Sequence, residues 1–151
     1  MWERLRRFRT LPGPARALFL RAVFLLPILT ISLRLSGFQK TKQRLRAALA
    51  GREPIAIAED SPANIALTSR MVLAAARHSP FPSTCLERSL ALWCLLARQG
   101  IASQLRIGVR TAEQKFSAHA WVEHDGIALG EPEAPHVHYA AFSEKFSGDA
   151  L

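Results

Sequence analysis

The chain is short of several things, and each shortage removes a class of function. Of its 151 residues only two are cysteine, Cys85 and Cys94. They lie nine positions apart in a chain without a secretory look, so a reducing compartment is expected and neither needs a disulfide. No glycine-rich phosphate loop is present, which removes the usual signature of nucleotide binding. His124, His136 and His138 could suggest zinc, but no HExxH motif or further cysteine completes a ligand set, and solvated loop histidines are expected there. The sequence therefore implies no metal and no cofactor. Acid is almost missing from the first third. Residues 1–50 hold eleven Lys/Arg and a single acid, Glu3, while residues 51–151 hold nine basic and eleven acidic residues. Basic charge confined to one end, without interleaved aromatics or glycines, argues against a nucleic-acid-binding surface.

What is present is enough for one domain. Half of the chain is hydrophobic (49%) and 21% is charged, a balance that allows a real core and excludes a disordered chain. Residues 17–35, ALFLRAVFLLPILTISLRL, follow the basic start MWERLRRFR. No small-residue cleavage site follows this stretch, and the next one is basic, which argues against a signal peptide. The uncharged run between Arg21 and Arg34 has 12 residues, against the ~20 that a spanning helix needs. One or two amphipathic helices are expected instead, packed on the domain behind or laid on an anionic membrane surface or a partner protein.

Further along, residues 39–50 read as a helix ending at Gly51, residues 52–60 as a connection, and Ser61-Pro62 as the start of a helix that stops near His78 before Pro80 and Pro82. Thr84-Cys85-Leu86-Glu87 fits a capping box, with Thr84 as the N-cap and Glu87 three residues on. Leu86, Leu90, Trp93, Cys94 and Ala97 continue it as an apolar stripe that Gly100 ends. The period then changes. Leu105, Ile107 and Val109 alternate with polar residues or glycine, residues 117–123 make a second strand, and Asp125-Gly126 signals a hairpin into a third strand at Ile127–Leu129. Helices first and an antiparallel sheet afterwards make the fold class α+β.

Chemistry concentrates at Cys85. A thiol at the first position of a capped helix sits among unpaired N–H groups at the positive end of the macrodipole, which favours a thiolate and could stabilise an oxyanion. Cys94, inside the apolar stripe, reads as an inert core residue. A thiolate nucleophile needs a base and the base needs an orienting group. His119, in the middle of the second strand, is the candidate base, and Glu123, Glu131 and Glu133 are the candidate orienting groups. Glu123 stands four residues along the same strand, about 13 Å away at ~3.3 Å per residue, which excludes it as the orienting group. Glu131 depends on the hairpin register. A three-residue loop over 124–126, the register the sequence favours, pairs 119 with 131 on one face. A two-residue loop, Asp125-Gly126, puts Glu131 on the far face.

The stretch CLERSLALWCLLARQGIASQLRIGVR, followed by FSAHAWVEHDGIAL, resembles the transglutaminase-like cysteine peptidases of lasso-peptide biosynthesis, the protease half of the B protein. The resemblance spans about residues 60–132. Its most specific pieces are Cys85-Leu86 with Arg88-Ser89, Ile107-Gly108-Val109, and Ala118-His119-Ala120-Trp121-Val122-Glu123. It implies a papain-like core over 51–151, with a helix bearing Cys85 on an antiparallel sheet behind the helical region 1–50. Cys85 matches the nucleophile and His119 the base, and Glu131 stands where the family usually has an aspartate. The implied activity is removal of the leader from a precursor peptide before an ATP-dependent lasso cyclase closes the ring. Residues 1–50 show neither the length nor the strands of a leader-binding recognition element. The resemblance is thus to the split form, which works with a separate recognition protein. Cytoplasmic residence is expected, with residues 1–50 available for a peripheral contact at the inner membrane face. Acyl transfer on the same fold and a non-catalytic membrane-surface adaptor are the rival expectations.

Overall fold

The computed structural model describes residues 10–50, 62–79, 82–112, 115–131, 135–141 and 146–147. Ser61, the 52–60 connection, Gly51, Glu133 and the His136 side chain lie outside them. Helix α1 runs Gly13–Leu49, α2 Pro62–His78 and α3 Cys85–Ala97, followed by strands β1 (Gln104–Ala112), β2 (Lys115–His124) and β3 (Ile127–Ala128). A short helix α4 (Pro135–His138) and two-residue strands β4 (Ala140–Ala141) and β5 (Phe146–Ser147) complete the order. All strand pairings among the described residues are antiparallel. β2 lies between β3 and β1, and the other edge of β1 takes β4 and β5. The architecture is α+β, as the change of period implies.

The span α1 is two helical segments that meet at a kink. Helix α1 carries Pro27 inside it and kinks at Gly37, whose φ of 75° and ψ of 175° are non-helical. Side-chain hydrogen bonds bridge the kink. Thr41 Oγ1 donates to the Gly37 carbonyl at 2.8 Å, Ser32 and Thr41 share a 2.9 Å hydrogen bond, and Arg44 donates to Ser36 at 2.8 Å. Residues 39–50 therefore lie in a helical segment of their own beyond the Gly37 break, as the sequence implied. Only one face of α1 enters the core, through Ala15, Leu18, Ala22, Leu26 and Leu29.

Helix α3 sits between the other two long helices and the sheet. That position explains why Leu90 through Leu96 are buried without interruption, where the sequence pattern implied only a stripe. Leu105, Ile107 and Val122 bring one face of the sheet to the same core. The opposite face has its own packing. A Cβ on Gly108 would stand 2.9–3.0 Å from the Trp121 ring and 3.0 Å from the Tyr139 Cβ, so the glycine makes room for the buried indole.

Candidate active site

The site is assembled from three segments, each fixed by a local reason. The first is the start of α3. Thr84 Oγ1 accepts from the Glu87 N–H at 3.3 Å, and the Glu87 carboxylate accepts from the Thr84 N–H at 2.7 Å, the capping box read in the sequence. The Arg88 N–H goes to the Thr84 carbonyl. The N–H groups of Cys85 and Leu86 remain without a partner among the described residues. They are two of the open donors that every helix start leaves, and they flank the Cys85 side chain.

The second segment is β2. Ser89, one turn after Cys85, donates its buried hydroxyl to the Ala120 carbonyl at 2.9 Å. This bond pins the helix start to the strand beside His119. The His119 ring lies against Trp121 at a 6.0 Å centroid distance, stacked, and 5.3 Å from the Tyr139 ring. Trp121 Nε1 donates to Glu123 at 2.7 Å, and Glu123 also pairs with Arg106 at 3.6 Å. Glu123 thus holds the ring that backs His119 and does not reach the imidazole. Residues two apart on a strand share a face, so this arrangement was legible. Tyr139, in the tail, carried no pattern that would have found it.

The third segment follows the hairpin, where the structure corrects the register argument. Glu123 pairs with Ala128 and His124 with Ile127, so the loop is Asp125-Gly126 alone. Both residues have positive φ, 48° and 77°, as a tight two-residue hairpin turn demands. On that register a continued strand would carry Glu131 to the far face. Instead the strand ends. After the Leu129 N–H bonds the Val122 carbonyl at 2.8 Å, Gly130 takes φ 72° and turns the chain. Glu131 Oε2 then stands 3.2 Å from His119 Nε2. A Cβ on Gly130 would lie 2.5 Å from Ser69 Oγ, so only glycine fits both the angle and the space. The isolated Gly130 at the end of a short strand was the available signal.

The three segments meet around one cavity of about 240 Å³, whose walls include Cys85, Arg88, His119, Glu131, Ser69 and Arg77. Glu131 is the one carboxylate among the residues lining it. No hydrogen bond joins Cys85 to His119; they meet as walls of the same cavity. With Nε2 directed at Glu131, a neutral His119 holding its proton there presents Nδ1 as the acceptor for a thiol proton. The second cysteine lies in the core, away from this cavity. Burial pushes the Cys94 thiol up to about 11, with Arg98 opposing. Among the described residues no group of three metal-ligating side chains clusters. His124 instead bonds the Ala102 carbonyl at 2.6 Å and lies 3.4 Å from Asp125.

A family model described as the transglutaminase-like superfamily matches residues 25–144, well over half of the chain. The chain belongs to that superfamily, which covers cysteine-based peptidase and acyltransferase activities. No curated protein and no solved structure matches it significantly.

Proposed function

We propose that this member of the transglutaminase-like superfamily is a cysteine endopeptidase that removes the leader from a ribosomally made lasso-peptide precursor. In this reading it acts with a separate recognition protein that presents the leader, ahead of a lasso cyclase. The observation that carries the peptidase reading is the single cavity lined by Cys85, at a capped helix start, and by the His119–Glu131 pair at 3.2 Å. The lasso assignment rests on the resemblance of residues 60–132.

His119 Nδ1 takes the Cys85 proton, and the thiolate attacks the scissile carbonyl carbon at the leader–core junction. The carbonyl oxygen becomes an oxyanion facing the free N–H groups of Cys85 and Leu86. His119 returns the proton to the departing amine, which leaves as the core peptide, and the leader stays on Cys85 as a thioester. Water, deprotonated by His119, then attacks the thioester and releases the leader carboxylate and the thiol. Glu131 holds the proton of Nε2 and the ring orientation throughout.

The test is mass spectrometry of a precursor peptide encoded beside this chain, incubated with the protein and the recognition protein. Wild type should cut once at the leader–core junction and add one water across the two products. Cys85→Ala should not cut, and Glu131→Gln should turn over roughly a hundredfold more slowly. A product in which an amine has replaced water would make the enzyme an acyltransferase. Equal cleavage by Cys85→Ala would remove the mechanism.

A further inference from the structure

Helix α1 carries a second apolar face that the core does not use. Leu20, Phe24, Ile28, Ile31 and Leu35 are 45%, 69%, 61%, 57% and 82% exposed. At spacings of four, four, three and four they form a stripe about 22 Å long at ~1.5 Å per residue. With roughly 100° per residue, the stripe lies nearly opposite the buried Leu18, Ala22, Leu26 and Leu29. Arg16 and Arg34 fall along one edge of it and Arg21 along the other. None of the three has an ion pair among the described residues, and Glu3 is the one acid in the first fifty residues.

Beside the stripe runs an apolar groove of about 390 Å³ between α1 and the C-terminal half of α3. Its walls include Leu20, Phe24, Ile28 and Leu95, with Arg21 and Arg98 as the charged members. Arg98 Nε is buried there without a hydrogen-bond partner. Apolar walls with cations and no anions fit an acyl chain beneath a negatively charged headgroup. By length and composition α1 could cross a bilayer. Its inner face, however, is packed into the core, so contact with a bilayer must lie in the interface plane.

We infer that the outer face of α1 seats this protein on an anionic lipid surface, with the five apolar side chains inserted and Arg16, Arg21 and Arg34 among the headgroups. Arginines at the margins of an apolar stripe can bury their stems while keeping their charge among phosphates. The cavity that holds Cys85 uses the N-terminal half of α3 and the groove its C-terminal half. Cleft and lipid contact therefore occupy different parts of the same helix.

The experiment is co-sedimentation of the full chain with vesicles of phosphatidylcholine alone and of phosphatidylcholine with phosphatidylglycerol, beside sizing of the free protein. Wild type should partition about tenfold or more in favour of the anionic vesicles, and less so as salt rises. Ile28→Asn with Leu35→Asn should lower that partition about tenfold or more, and Arg16→Gln with Arg34→Gln should lower it several-fold. Both pairs are solvent-facing and should keep the wild-type circular dichroism and Cys85 alkylation rate. Absence of vesicle binding would overturn the inference. So would binding that the Asn pair leaves unchanged, because the contact would then lie elsewhere in the chain. A free dimer that the Asn pair dissociates would overturn it in favour of a second copy.

Discussion

Replacing Gly130 by alanine tests the turn that delivers Glu131. The new Cβ meets two separate obstacles. A left-handed φ of 72° costs an L-residue about 1–2 kcal/mol. The 2.5 Å approach to Ser69 Oγ must be relieved by moving the hydroxyl off its rotamer, at about 0.5–1.5 kcal/mol. Gly130→Ala should therefore destabilise the fold by roughly 2–3 kcal/mol, lowering Tm by about 4–10 °C in a chain of this size. Urea unfolding followed by tryptophan fluorescence measures it. The two terms separate in a Ser69→Ala background, where the hydroxyl is gone and only the backbone term, about 1–2 kcal/mol, should remain. Cleavage should stay depressed in both backgrounds, since the angle and not the hydroxyl aims Glu131 at His119. A cost below about 0.5 kcal/mol, or an equal cost in both backgrounds, would refute this account of the turn.

Two further outcomes follow from the packing. Gly108→Ala places a methyl against the rigid Trp121 ring and the Tyr139 Cβ, where neither neighbour can yield by a simple rotation. It should cost about 1–3 kcal/mol and lower cleavage through the ring that backs His119, read as a fall in kcat with little change in KM. The buried Cys94 thiol makes stability depend on alkaline pH. Its folded value is about 11 against an ordinary 9.0, so above pH 9 the unfolded chain loses a proton that the folded chain keeps. Stability should fall between pH 9 and 11 by roughly 2–3 kcal/mol, and Cys94→Ala should flatten that part of the urea-midpoint profile relative to wild type.

How much of this was legible depended on the range of the forces involved. The Thr84–Glu87 cap, the helix after it and the alternation of β1 and β2 are local, and residue type at fixed spacing is enough to read them. The prominence of His119 was readable for the same reason. The path of Glu131 to it was not. It hangs on Gly130 abandoning the strand at a left-handed φ, with the space beside it closed by Ser69, sixty-one positions earlier. The two faces of α1 were hidden differently: an apolar periodicity on opposite sides of one helix cancels as an amphipathic signal, so core stripe and exposed stripe merge into one run. β4 and β5 pair through only two residues each, too few for a strand pattern.

The Ser89–Ala120 bond has a mechanical consequence. It ties the turn of helix after the nucleophile to the residue next to the base, at a buried 2.9 Å. Like a rivet close to the jaws of a pair of pliers, it leaves almost no lever arm for helix and strand to part. Widening the gap between Cys85 and His119 would mean breaking a dry hydrogen bond rather than swinging a hinge. The jaws are therefore set when the chain folds.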